Sequence, residues 1–403
     1  MPTLLQINTS LNRGSTGKIS EQIGLQAIDN GWDSYIIHGP RYKNPSKLKS
    51  IQSVSLYQET IHVLQSLLFD RHGLGSYRST KKLLETIDEI KPDVVHLHNI
   101  HGYYINYKLL FQYLAKREIP IVWTLHDCWA FTGHCAHFDS INCKKWMKCC
   151  HSCPSIQKYP KSLIFDRSRR NFLLKKELYQ SLKKLTVIPV SDWLSGLVSS
   201  SILKEFPRIT IHNGIDLEIF KYRKSNLRHK FHLEDQCVLL GVASAWSDSK
   251  GLQEFTKLSQ VPGYTVILIG VQQKLKSHLP SNMIAIERTD NQISLAEYYS
   301  LADVYVNPTY NDTFPTVNLE ALACGTPVVT YRTGGSPEAI EGDTGYVVDK
   351  GNFEMLLSTI EHVRKQGKSH FMANCRLLAE KKYNMYTQYN EYIKLYNDII
   401  TNQ

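Results

Sequence analysis

The sequence predicts an α/β protein built as two doubly wound parallel-sheet domains. Three observations predict it. Short, nearly continuous Val/Ile/Leu runs recur along the 403 residues, as expected for strands buried on both faces. Amphipathic stretches at 17–30, 79–90, 104–116, 294–302 and 353–366 lie between them, which is strand–helix–strand repetition. The chain is also longer than one hydrophobic core usually organises.

In order, TLLQIN, SYIIHG, DVVHLHN, PIVWTLHD and TVIPVS read as the strands of the first half. VLLGVAS, YTVILIG, MIAIER, DVYVNP, PVVTYR and GYVVD read as those of the second. The pattern pauses at FPRITIHNGIDLEIF and restarts. The expected domains are therefore 1–208 and 209–382, both Rossmann-like. The Tyr-rich tail, 383–403, is expected to form a last amphipathic helix that returns to the first domain.

MPTLLQINTS runs straight into a strand with no secretory pattern before it. No stretch approaches the ~18 apolar residues of a spanning helix. The expectation is a cytoplasmic protein. Hydrophobic content of 42% and charged content of 21% are ordinary for a globular chain. The net charge of +10 points to an anionic partner. Much of it lies in FDRSRRNFLLKKELYQSLKK, residues 165–184, which carries Arg167, Arg169, Arg170, Lys175, Lys176, Lys183 and Lys184. That segment reads as a basic helix. Either its charged face is simply solvated, or it adsorbs peripherally to anionic lipid on the inner face of the cell membrane. No nucleic-acid-binding signature accompanies it.

Doubly wound sheets hold ligands outside the carboxyl ends of their strands, so the loops after strands are the places to look. After DVYVNP comes TYNDTFPT and then VNLEALAC. Pro315 suits the first turn of a helix and Gly325 its stop. The amides of Thr316 and Val317 would face a phosphate at the positive end of that helix. Glu320, one turn in, can accept hydrogen bonds from ribose hydroxyls, and Asp312 precedes the phosphate site. Alternatively Glu320 pairs with a basic residue. The loop after VLLGVAS presents Lys250 before Gly251, a point charge able to reach a diphosphate. In NTSLNRGSTGKIS, Gly14 and Gly17 flank Ser15 and Thr16, which permits close backbone approach to a ligand or makes a plain glycine turn. His126 and Asp127 end a first-domain strand in TLHDCW. Gly334 and Gly335 follow PVVTYR.

In these five loops together, the sequence resembles the retaining GT-B glycosyltransferases of family 4, which build capsule, O-antigen and exopolysaccharide. The resemblance is carried by D312-x7-E320 followed by ALACGTPVV, by HNGID at 212–216, by SDSKGL at 248–252 and by HDCWAFTGHC at 126–135. It implies a GT-B fold, with two Rossmann-like domains facing a central cleft, the first on the acceptor side and the second holding the nucleotide-sugar. It implies that Glu320 binds the donor ribose, that Asp312 faces the donor sugar, and that Lys250 and the amides near Thr316 and Val317 contact the diphosphate. His126 would lie near the transferred sugar, and the loop around Gly14, Thr16 and Gly17 would close on the phosphates. His126, Asp312 and Lys250 are thus the expected catalytic set. The reaction would retain anomeric configuration and require no metal or organic cofactor. Two departures stand out. Asp312 replaces the usual Glu, and Ala245 stands where an arginine is common, leaving Arg13 or Arg332 as substitutes.

The expected reaction moves a sugar from a nucleotide-diphosphate sugar to a hydroxyl of a saccharide or polyprenyl-diphosphate-linked acceptor. Other readings are a nucleotide-sugar epimerase on the same fold and an inactive nucleotide-sugar-binding subunit. A phosphorylase lacks a distinct pyridoxal lysine, and a glycosidase leaves the phosphate-site features unexplained.

Six of nine cysteines fall within residues 128–154, an insertion of the first domain. Cys150 and Cys153 have the spacing of a zinc turn, and Cys135 and Cys143 could complete a four-thiolate structural site. His134, His137 and His151 are alternative ligands. The competing reading is a reduced loop whose cysteines pack as small apolar residues.

Overall fold

The computed structural model describes residues 1–401. Twelve strands form two six-stranded sheets among these residues, every pairing parallel. The first holds β1 (Thr3–Ile7), β2 (Asp33–His38), β3 (Lys49–Gln52), β4 (Val94–Leu97), β5 (Ile121–Leu125) and β6 (Leu185–Pro189). The second holds β7 (Cys237–Val242), β8 (Tyr264–Ile269), β9 (Ile284–Ile286), β10 (Val304–Asn307), β11 (Val328–Tyr331) and β12 (Gly345–Val348). The first sheet runs β3-β2-β1-β4-β5-β6, and the second runs β9-β8-β7-β10-β11-β12. The two orders are the same, the doubly wound 3-2-1-4-5-6 arrangement. The central strands are buried end to end, β4 and β10 without exception, which is why their sequences show no polar alternation.

Helices α1 (Gly14–Asp29), α2 (Leu56–Phe69), α3 (Tyr77–Ile90), α4 (Tyr107–Arg117), α5 (Ser168–Gln180) and α6 (Asp192–Val198) accompany the first sheet. Helices α7 (Leu227–Lys230), α8 (Leu252–Leu258), α9 (Gln273–Lys276), α10 (Gln292–Leu301), α11 (Thr316–Ala323), α12 (Phe353–Gln366), α13 (Lys368–Lys382) and α14 (Met385–Thr401) follow. Several start where a side chain satisfies a free amide: Asn106 accepts from Leu109, Ser191 from Leu194, Asn291 from Ser294 and Asn352 from Met355. No helix among the described residues is long and apolar enough to cross a membrane.

The chain divides into one unit of Met1–His212 plus the residues from Tyr389 onward, and a second of Asn213–Gln388. Within the first, the tail packs beside the sheet. The Tyr396 hydroxyl lies 2.6 Å from His96 Nδ1, Thr124 Oγ1 donates to the Tyr392 hydroxyl at 3.1 Å, and Trp32 Nε1 donates to Asn397 at 3.3 Å. The basic segment is helical from Ser168, but Lys175 departs from the solvated row expected of it and is fully buried. Strand β3 and helix α2 have no counterpart in the sequence reading. KSIQ is an edge strand with no buried residue, so it needs no apolar run. Helix α2 leaves Leu56, Tyr57 and Leu64 exposed, which blurs its periodicity.

Candidate active site

In a doubly wound sheet the chain leaves the two central strands in opposite directions, and the loops at that divide stand side by side. In the second unit these are the loops after β7 and β10, and they carry Lys250 and Asp312. Lys250 ends a single 3-10 turn, and Gly251 redirects the chain into α8 with φ +75°. The Lys250 ammonium donates to Asp312 Oδ2 at 2.8 Å. The loop is tied to its neighbour by the Tyr310 amide, which donates to the Ser249 carbonyl at 2.9 Å.

Helix α11 begins directly after that acid. Its N-cap is Pro315, no side chain caps it, and its first turn carries no acid. Asn318, Leu319, Ala321, Leu322 and Ala323 are buried, while Thr316, Val317 and Glu320 are half-buried. The helix thus shows one narrow accessible face, formed by the three residues singled out in the sequence. The Tyr299 hydroxyl donates to Glu320 Oε2 at 2.8 Å. Tyr299 is fully buried on α10. Its role was not read from the sequence, where it is one apolar-face residue of an amphipathic stretch. Gly334 lies against the acid loop from the other side. Its φ is +54°, and a Cβ there would stand 1.7 Å from the Asp312 carbonyl oxygen. Ala245 is exposed. Arg332 lies against Asp349 at 3.4 Å, and Arg13, in the first unit, stands 5.8 Å over the Tyr42 ring.

In the first unit, Gly14 opens α1 at φ +68°, and Thr16 Oγ1 is 3.4 Å from Ser10 Oγ. Gly17 is buried against Ser10 and Asn12. The N-cap, Arg13, makes no side-chain cap bond, so the first amides of α1 keep their donor capacity. His126 and Asp127, at the end of β5, are half-buried. Gln6 uses its amide nitrogen on the Ser20 carbonyl, so its oxygen accepts from His98 Nε2 at 3.0 Å. His98 Nδ1 is then the acceptor for His126 Nε2 at 3.2 Å. Neutral His126 carries its lone pair on Nδ1. Burial pushes His126 down to about 4, against the pull of Asp127. Burial opposes ionisation of Asp127 too, but His101, 2.7 Å away, and the Trp129 amide hold it at about 2. His98, His101 and Gln6 were not anticipated. The recurrence of histidine in DVVHLHNIH was the one hint of the first two, and nothing marked Gln6.

Burial also lowers His62 to about 4, and His72, His96 and His98 well below the usual histidine value. Each must remain neutral to stay folded. Below pH ~6.5 the unfolded chain binds protons that the folded chain refuses, so unfolding becomes easier as pH falls. Stability measured by urea titration should fall steadily from pH 6.5 to pH 4. A flat profile across that window would contradict the buried-neutral assignment.

Lys175 is held inside by carbonyls. Its ammonium donates to Trp129 O at 2.5 Å and Thr132 O at 3.0 Å and lies 3.3 Å from the Trp129 ring centroid. Burial pushes it down to about 7. It fastens the segment after Asp127 to α5. A basic groove of about 1180 Å³ opens beside the start of α5, with Arg71, Lys108, Arg167, Arg169 and Arg170 on its walls. Leu163, Ile164 and Phe165, just before it in the chain, are exposed.

Two family models match the chain: Glycosyltransferase Family 4 over residues 23–219 and Glycosyl transferases group 1 over residues 238–366. WcaC of Escherichia coli (strain K12), named as a colanic acid biosynthesis glycosyl transferase, is 24% identical over 86% of this chain and 87% of its own length. CapM of Staphylococcus aureus, a capsular polysaccharide biosynthesis glycosyltransferase, is 26% identical over 53% of this chain and 62% of its own. Among solved structures, sucrose-phosphate synthase from Thermosynechococcus elongatus superposes with a TM-score of 0.73 at 16% identity, over 100% of both chains. Anabaena HepE in complex with UDP does so with 0.67 at 15%, over 99% of this chain and 100% of its own. At such identities these structures speak for the GT-B fold.

Proposed function

We propose that this chain, whose residues 23–219 and 238–366 match the Glycosyltransferase Family 4 and Glycosyl transferases group 1 models, is a GT-B glycosyltransferase that transfers a sugar from a nucleotide-diphosphate sugar, with retention, to a hydroxyl of a saccharide or polyprenyl-diphosphate-linked acceptor in surface-polysaccharide synthesis. The single accessible face of α11 carries this reading. Amides for a phosphate, at Thr316 and Val317, lie between a carboxylate one turn inside and the Lys250–Asp312 pair just outside. In this reading Glu320 accepts from the ribose hydroxyls, and Asp312 approaches the sugar. The amides of α11 and the Lys250 ammonium stabilise the charge that develops on the β-phosphate. His126 is the residue assigned to orient the sugar. No side chain is assigned as a nucleophile, and attack on the face that the phosphate leaves gives retention.

The relatives named for colanic acid and capsule and the neighbour crystallised with UDP support the pathway class and the donor class. The basic groove with its exposed apolar flank supports an anionic acceptor or membrane surface. Sedimentation with anionic against zwitterionic vesicles checks that part, and equal recovery from both would remove it. Ala245 favours one second reading, a nucleotide-sugar-binding subunit without turnover. Slow donor hydrolysis by water separates the two, since a binding subunit releases no free nucleotide.

The direct test is a thermal-shift screen of UDP-, GDP- and other nucleotide-sugars, since a ligand that binds the folded state raises its melting temperature. Glu320→Gln should then weaken donor affinity by about 1.5–3 kcal/mol, the worth of hydrogen bonds to a charged acceptor. The free protein should melt nearly as before, because the amide oxygen still accepts from Tyr299. Unchanged affinity for UDP or its counterpart in this variant would refute the ribose assignment.

A further inference from the structure

Four of the six clustered cysteines converge on one point. Cys135, Cys143, Cys150 and Cys153 all line a single small cavity beneath Phe138 and Trp146. About 10 Å³ of it is open to the centre of a water-sized sphere, which is room for one ion. The Cys135 and Cys153 thiols are hydrogen-bonded to each other. Cys149, next to Cys150 in the chain, does not line the cavity, and its sulfur points to a backbone carbonyl. All nine cysteines are free thiols.

The walls are furnished for negative charge. The Gly133 amide donates to the Cys150 sulfur at 3.2 Å. Gly133 is needed there, since a Cβ would stand 2.0 Å from the Ser168 carbonyl oxygen and 2.8 Å from Cys150 Cβ. His134 lines the same cavity and is buried. Its Nδ1 is 2.7 Å from Asp70, itself fully enclosed, while its Nε2 has no hydrogen-bond partner among the described residues. A buried imidazole nitrogen left without a partner costs free energy unless something else occupies the space before it. A carboxylate that fixes the far side of such a ring is the arrangement found around metal centres. The turn from Cys150 to Cys153 is clamped by Lys145, which donates to the carbonyls of His151 and Ser152 at 3.0 and 2.9 Å.

We propose that this cavity is a structural zinc site, with Cys135, Cys143, Cys150 and Cys153 as thiolate ligands and the His134 ring, fixed by Asp70, on its wall. The softness and number of the ligands suit zinc. Among the described residues the sulfurs do not yet stand at the mutual spacing of a closed tetrahedron, and metal binding draws them in by side-chain rotation. Four thiolates around zinc carry a net charge of two minus. The Gly133 amide and the nearby buried ammonium of Lys175 answer that charge. The ion does not take part in transfer. It braces the segment that begins at Cys128, immediately after Asp127.

The experiment is elemental analysis of the full-length protein, purified in reductant without metal-affinity chromatography. About one equivalent of zinc is expected. Cys150→Ser and Cys153→Ser should each lose it, and Cys149→Ser should retain it. Should the ligand variants not fold, exchange of zinc for cobalt in the parent protein is the second measurement, with the intense visible bands of a tetrahedral thiolate site as the expected result. Less than about a tenth of an equivalent in the parent, well short of a tight structural site, overturns the proposal. So does equal loss in Cys149→Ser, or a cobalt spectrum without thiolate charge transfer.

Discussion

Lys250→Met is expected to lower kcat for sugar transfer by roughly 10²–10³-fold, the usual loss when one preorganised charge-stabilising donor is removed. The same change should move the melting temperature by no more than about 4 °C. The reason is the setting of the pair. The Lys250 side chain is 37% exposed and Asp312 20% exposed, and ion pairs that reach solvent are worth about 0–1 kcal/mol. A degree of stability that small cannot account for a hundredfold loss of rate, so the comparison separates catalysis from structure. Binding of the free nucleoside should change little, because the ammonium is asked to meet charge on the departing β-phosphate rather than the base or ribose. Equal losses for nucleoside and nucleotide-sugar, or a large fall in melting temperature with a matching fall in rate, would make Lys250 a structural residue.

The part of this arrangement legible in the sequence was the part written in local pattern. Buried parallel strands announce themselves as apolar runs, and the rule that ligands lie beyond their carboxyl ends then picks out the loops of Lys250, Asp312 and His126 without any geometry. Pro315 and Gly325 bracket α11 in sequence as they do in space. What pattern could not supply was partnership across the chain. Glu320 is met by Tyr299 from another helix, and His126 by His98, just past β4, and then by Gln6 of β1. Lys175 shows the same limit from the other side. Its neighbours in sequence are solvated cations, and only packing reveals that its ammonium turns inward to two carbonyls. Strand β3 and helix α2 escaped because their exposed residues leave no periodic signature to read.

Gly334→Ala is expected to reduce kcat/KM by at least about 10²-fold, with both sheets intact. Two costs meet at this position. A side chain at φ +54° occupies the left-handed region, which costs an ordinary residue roughly 1–2 kcal/mol. The larger one is contact. The added methyl would stand 1.7 Å from the Asp312 carbonyl oxygen, and that oxygen belongs to backbone, so no side-chain rotation relieves the overlap. The two loops must part by roughly 1.5–2 Å to reach ordinary van der Waals separation. The Gly335 amide donates to the Thr313 carbonyl at 3.1 Å, so the displacement passes directly to the residues between Asp312 and the first amides of α11. Misplacing a catalytic constellation by about 1 Å is enough for a hundredfold loss. Gly342→Ala is the matched control. Gly342 has φ +50° and nothing within 4 Å of the added Cβ, so it bears the conformational cost without the contact. It should lose about 1–2 kcal/mol of stability and keep its transfer rate. If Gly334→Ala behaved like Gly342→Ala, the position of the Asp312 loop would not matter to the reaction, and the carboxylate assigned to face the donor sugar would have to be sought elsewhere.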